Sequence, residues 1–112
     1  MQRGAVWWAD LPAPSASEPG YRHPVIIVQA NAFNRSAIRT IVAVVLTSNL
    51  GLARAPGNVL VARNESGLPK DSVANVSQVI TVDRAFLTEK VGIIKGDTLR
   101  LIDEGLRSIL AL

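Results

Sequence analysis

The chain of 112 residues has no cysteine, a single histidine and aromatic side chains at only 4% of its positions. Without cysteine there is no disulfide scaffold, no zinc ribbon and no thiol nucleophile, and no signal about redox compartment. One histidine makes a histidine-based metal site a poor expectation, because catalytic zinc sites usually draw on two or three. The longest uninterrupted apolar run, Ile41 to Leu46, is six residues, against about 20 for a membrane-spanning helix. The first ten residues reach Asp10 without an apolar signal core of about 7–15 residues. These absences predict a cytoplasmic protein with no membrane partner. The chain is 48% hydrophobic, too apolar for a disordered segment. A domain of this size buries roughly 65% of its unfolded surface. The surplus apolar surface predicts a partner subunit.

Acidic residues are missing from a long stretch. None occurs between Glu18 and Glu65, and that stretch contains Arg22, His23, Arg35, Arg39, Arg54 and Arg63. Residues 1–63 carry six basic groups and two acidic ones, whereas residues 64–112 carry six and seven. Arginine outnumbers lysine nine to three, and the planar guanidinium fork suits phosphate. The charge layout favours an anionic partner, most commonly nucleic acid, over a merely solvated surface.

The remaining pattern is strand-rich. Ala5 to Asp10 predicts a first strand with Trp7 and Trp8 on opposite faces, one in a core and one at an interface or groove. Residues 12–24 hold four of the six prolines and predict a long loop. Pro24 opens a β-branched strand over Val25–Gln29, and a third strand spans Arg39 to Leu46. Asn31 to Ser36 is turn-like, and Phe33 within it is expected in a core. Leu50 to Pro56 is a loop, Val59 to Ala62 a short strand, and Ser72 to Val82 a strand pair or one bent strand. Asp83 to Leu87 forms a helical turn, and Lys90 to Ile94 a last strand weakened by Gly92. From Asp97, a candidate N-cap, the apolar period becomes helical: Leu99, Ile102, Leu106, Ile109 and Leu110 form a stripe expected in the core. Gly105 inside this helix costs about 1 kcal/mol against alanine, which points to close packing. Short strands followed by one amphipathic helix predict a small, partly open β-barrel in a single domain, 1–112.

Several segments taken together resemble the MazF/PemK/Kid family, the toxins of bacterial toxin–antitoxin pairs. They are residues 3–11, Glu18 to Val25, Ala32-Phe33-Asn34-Arg35, Leu46-Thr47-Ser48-Asn49, Gly67 to Val73 and Val79 to Asp83. The resemblance implies a mainly β, SH3-like small barrel with a C-terminal α-helix, and a homodimer. It implies an endoribonuclease that needs no metal or other cofactor and cuts single-stranded RNA (mRNA, tRNA or rRNA). The products would carry a 2′,3′-cyclic phosphate and a 5′-hydroxyl. A cognate antitoxin, acidic and apolar, would cover the groove.

Metal-free cleavage uses the neighbouring 2′-hydroxyl as nucleophile. Something must take its proton, something must stabilise charge on phosphorus, and the departing 5′-oxygen must be protonated. In the family an arginine immediately before the strand-opening proline is the main catalytic side chain. Here that position is His23, with Arg22 one residue earlier. Two assignments stay open: His23 transfers the proton while Arg22 holds the phosphate, or Arg22 takes the family role and His23 is a neighbour. Thr47 matches the family's catalytic threonine and would donate to a non-bridging oxygen, while its plain alternative is a strand-end cap. Glu18 would accept a proton or bind a base edge. Ser48, Asn49 and Arg54, together with Asn75, Ser77 and Gln78, are candidate RNA contacts. Two further classes share the barrel. A gyrase poison of the CcdB type would need a tryptophan in its C-terminal tail, yet this chain ends Ile109-Leu110-Ala111-Leu112. An RNA-binding barrel without catalysis is the other.

Overall fold

The β-branched and apolar runs form six strands, and the helical stripe forms one long helix. A computed structural model describes residues 1–12 and 21–112. Its strands are β1 (Ala5–Leu11), β2 (Tyr21–Ile27), β3 (Thr40–Thr47), β4 (Val59–Val61), β5 (Ser72–Asp83) and β6 (Leu87–Ile93). Short helices α1 (Asn31–Asn34) and α2 (Arg63–Ser66) sit in connections, and α3 (Gly96–Leu110) closes the chain. All strands join one antiparallel sheet in the order β4-β5-β3-β2-β1-β6.

Alternation along the strands sends apolar side chains to two clusters. Val6, Ile26, Val44, Leu46, Val76, Ile94, Ile102 and Leu106 form the cluster under α3, with Trp8 packed against it. Ala9, Val25, Ile27, Ile41, Val45 and Leu87 form the other, with Trp7 against it. The two tryptophans therefore face opposite ways, as neighbours in a strand must.

A bulge curls the sheet. In the β3–β5 register Val44 pairs with Val79 but Val45 pairs with Asn75, so residues 76–78 have no partner on β3. An extra segment in one strand bends it and adds twist. Asn58 clamps this bulge. Its Oδ1 accepts from the Val76 amide at 2.9 Å, and its Nδ2 donates to the Leu52 carbonyl and to Asn75 Oδ1. The sequence reading of Ser72 to Val82 as one bent strand is the correct alternative.

Arg3 ties α3 to the sheet. Its guanidinium grips Asp103 through two nitrogens at 2.7 and 3.2 Å and donates to the Val28 carbonyl. Gly105 lies against Gly57, with no room for a Cβ between them.

Four expectations change. β2 begins at Tyr21, so the predicted loop to residue 24 is too long. Pro24 is tolerated inside β2 because it pairs only with Trp8 of β1, its other edge being free of ladder bonds. The final strand starts at Leu87 rather than Lys90. Asp97 lies in the first turn of α3, and the cap residue is Lys95; the carboxylate still favours the positive end of the helix. Finally, Phe33 is 59% exposed, whereas Asn34 is buried. The turn of α1 points Asn34 inward, where its amide donates to the Gln29 carbonyl and its Oδ1 accepts from Gln29 Nε2. The Gln29 side chain in turn accepts from the Val42 amide. A buried backbone end must be paired, and asparagine does that where phenylalanine cannot.

The helical stripe is only partly core. Ile102 and Leu106 are buried and Leu99 packs against them, but Ile109 and Leu110 are 49% and 51% exposed. The last turn of α3 runs past the side chains that cover its first three.

Candidate active site

A cleft forms where β2 and β3 part. β2 pairs with β1 along Tyr21–Ile26, yet pairs with β3 only over Val25–Ile27. Beyond Val25↔Val45 the strands carry no ladder, and the same register continued by two residues sets His23 opposite Thr47. The opening has a volume of about 310 Å³. Trp8 of β1, His23 and Pro24 of β2, and Leu46, Thr47 and Ser48 of β3 form one side. Leu68, Pro69 and Lys70, which lead into β5, and Ser72 at its start complete the lining. None of these lining residues is acidic.

His23 is half-buried, and its Nε2 is buried without a hydrogen-bond partner among the described residues. Desolvation by burial lowers its pKa, and the Leu46 backbone, acting as a hydrogen-bond partner, opposes this in part. The net direction is below the ordinary imidazole value of about 6.5. At neutral pH the ring is therefore uncharged.

Thr47 ends β3. Its Oγ1 accepts from the Asn49 amide at 3.2 Å. A hydroxyl that accepts still has its own hydrogen to give, so the Thr47 proton is available to an oxygen in the cleft. Asn49 is the N-cap of a 3-10 turn, Leu50–Arg54, and its Oδ1 accepts from the Gly51 amide. Asn49 thus caps that turn.

Arg22 stands at the rim. Its guanidinium lies 4.3 Å from the centre of the Trp8 ring and pairs with Glu89 of β6 at 2.9 Å. Both partners of this pair are more than half exposed. An exposed pair of this type is worth about 0.2–1 kcal/mol, so it orients Arg22 more than it stabilises the fold.

The other candidates lie elsewhere. Asn75, 8% exposed, donates to Gln78 Oε1 and accepts from Ser77 and Asn58, so it is occupied in holding the bulge. Neither Ser77 nor Gln78 lines the cleft. Arg54 is exposed at the end of its 3-10 turn, outside the cleft. Glu18 falls outside the described residues. Among the described residues no group of three His, Cys, Asp or Glu is arranged to hold a metal ion, and no helix is long and apolar enough to cross a membrane. The sequence reading missed Lys70 as a site residue. The signal was present in Gly67-Leu68-Pro69-Lys70-Asp71, a turn followed at once by a strand.

These features define a small curled-sheet β protein with a C-terminal helix and a basic cleft at the sheet's opening. The chain belongs to the PemK-like, MazF-like toxins of type II toxin–antitoxin systems, whose family model matches residues 2–110. It is 40% identical over 112 residues to Endoribonuclease MazF6 of Mycobacterium tuberculosis, covering 100% of this chain and 98% of the relative. It is 33% identical to Endoribonuclease EndoA of Bacillus subtilis, covering 100% and 96%. A solved endoribonuclease from a mycobacterial species, in complex with its cognate antitoxin, matches with a TM-score of 0.76 at 27% identity, covering 100% and 94%. MazF from Deinococcus radiodurans shares the fold, with a TM-score of 0.79 at 21% identity, covering 100% and 97%.

Proposed function

We propose that this toxin is an endoribonuclease that cleaves single-stranded RNA by attack of the 2′-hydroxyl on the adjacent phosphorus, without a metal, and that a cognate antitoxin inhibits it. The observation that carries this reading is that His23, whose Nε2 is buried without a hydrogen-bond partner, lines one cleft with Thr47, and that none of the described residues lining it is acidic. The 2′-hydroxyl proton passes to Nε2 as the 2′-oxygen bonds to phosphorus. The bond from phosphorus to the 5′-oxygen breaks, and that oxygen leaves with a proton from water. The products carry a 2′,3′-cyclic phosphate and a 5′-hydroxyl. A neutral imidazole suits the first step, because a base must be unprotonated to act. The Thr47 hydroxyl donates to a non-bridging oxygen as charge builds there. Arg22, seated on Trp8, is placed to meet a flanking phosphate at the rim.

Two partners follow from the surface. Ile109, Leu110 and Leu112 are exposed at the end of α3, and covering them in a homodimer removes that apolar surface from water. A basic cleft with apolar walls fits an acidic, apolar antitoxin segment. Sedimentation at micromolar concentration tests the first, with a dimer mass expected.

The deciding assay incubates purified protein with single-stranded RNA in EDTA and maps the product ends. Cyclic-phosphate and 5′-hydroxyl ends are expected. Salt-sensitive binding with no cleavage would replace this reading by the RNA-binding barrel. Within the same assay, Thr47→Val is expected to lower kcat by about 100-fold, the usual effect of losing one such donor. Thr47→Ser, which keeps the hydroxyl, is expected to restore most of the rate. Equal rates for Val and wild type would remove Thr47 from the mechanism.

A further inference from the structure

We propose that Lys70 is the cation this cleft places on the scissile phosphate, so that His23 moves the proton and Lys70 carries the countercharge. The inference rests on the RNA-cleaving reading. It assigns a further substrate-contacting residue, on the segment that leads into β5.

Lys70 lines the same cleft as His23 and Thr47. Among the described residues its ammonium has no ion-pair or hydrogen-bond partner, since no carboxylate lies within 4.0 Å of it. The neighbouring acid does not neutralise it. Asp71 is turned toward α2, where its Oδ1 accepts from the Arg63 amide at 2.9 Å. Arg22, by contrast, is already paired with Glu89 and lies outside the lining of the cleft. Among the described residues that line this opening, Lys70 is the only lysine or arginine.

The segment carrying Lys70 is held at both ends. On one side Gly67 adopts φ +81, and its backbone packs against the Val91 carbonyl with no space for a Cβ. Leu68 is buried, and its amide donates to Ser66 Oγ at 3.1 Å. On the other side Ser72 starts β5, and its Oγ donates to the Lys70 carbonyl at 3.4 Å. The backbone is tied down on both sides of Lys70, and the ammonium is left unpaired for a substrate phosphate.

The chemistry gives such a charge its effect. A phosphodiester carries one negative charge, and the phosphorane formed by loss of the 2′-hydroxyl proton carries a second. A cation on this phosphate therefore interacts more strongly with the transition state than with bound RNA, and so raises kcat. Lysine does this as a compact point charge, needing no fork geometry.

The test measures cleavage of a single-stranded RNA in EDTA by wild type, K70M, K70R and K95M. It also measures the affinity of each for the same strand carrying an uncleavable 2′-deoxy linkage, at several salt concentrations. K70M is expected to lose about 100-fold in kcat, and its salt slope for the deoxy strand is expected to fall by about 0.7, one phosphate contact on a single strand. K70R is expected to stay within about tenfold of wild type, because it keeps the charge and loses only its compactness. K95M, which removes an equal charge at the start of α3 outside the cleft, is expected to cleave normally. Wild-type kinetics in K70M overturn the proposal, as does a K70R as impaired as K70M or a K95M that loses as much. If the wild type cleaves nothing while K70M alone loses the salt-dependent contact, the cleavage reading fails and Lys70 stands as a phosphate ligand.

Discussion

His23→Gln is expected to reduce RNA cleavage by about 1,000-fold while leaving the melting temperature within a few degrees of wild type. Glutamine keeps a polar group of similar reach but cannot accept a proton, and loss of a positioned base usually costs about 10²–10⁴ in rate. The pH profile gives the sharper reading. Burial lowers the His23 pKa below the ordinary value, and the base works only when neutral. The rate of the wild type should therefore hold steady from neutral pH down to about 6.5, then fall as the ring protonates below that point. His23→Gln should have no such limb. The stability link has the same sign: the unfolded chain takes the proton more readily, so the folded state loses ground as pH falls through this range. Arg22→Ala separates the two assignments left open by the sequence. It breaks an exposed ion pair and a ring contact, and should weaken RNA binding more than it slows the chemical step. If Arg22→Ala abolishes kcat and His23→Gln does not, the roles are reversed.

The sequence makes most of this legible, for identifiable reasons. The strands show because β-branched runs such as Val25-Ile26-Ile27-Val28 and Ile41 to Leu46 leave no helical alternative. The position of His23 before Pro24 is visible because the proline marks where a strand loses its ladder on one edge. What stays hidden is whatever depends on contacts between distant segments. Nothing local in Asn75 announces its place in the clamp of the bulge, since its partner there, Asn58, sits 17 residues away. Lys70 is hidden in the same way, because β5 must pair with β3 before its preceding loop faces His23. Phe33 misleads because hydrophobicity predicts burial only on average. At that turn the Gln29 carbonyl calls for a polar partner, and Asn34 answers, while the Gln29 side chain pairs the Val42 amide.

Gly105→Ala carries the largest expected effect on stability, and two opposing terms decide its sign. Alanine in a helix interior is favoured over glycine by about 1 kcal/mol. Against this, a Cβ at residue 105 would come closer than 3.0 Å to the Gly57 carbonyl oxygen and within 3.2 Å of a Val76 methyl. A flexible side chain could swing aside, but a carbonyl in a backbone turn cannot. Overpacking of this kind costs about 1–3 kcal/mol and sometimes more, and the backbone obstacle places it at the upper end. The net expectation is a loss of about 2 kcal/mol, or roughly 10 °C in melting temperature for a domain of this size. Measurements must share one protein concentration, because the homodimer proposed above would make apparent stability depend on it. Ser108→Ala, at an exposed position of α3, is the matched control and should melt at or slightly above wild type. A Gly105→Ala variant as stable as that control would mean the close approach of α3 to Gly57 is wrong. The effect should reach the cleft as well. Gly57 precedes Asn58, which grips both the β5 bulge and the 3-10 turn that follows Thr47 to Asn49. Pushing α3 away from Gly57 therefore loosens the end of β3, and Gly105→Ala should lower kcat at temperatures where the protein is still folded, although residue 105 lines no part of the site.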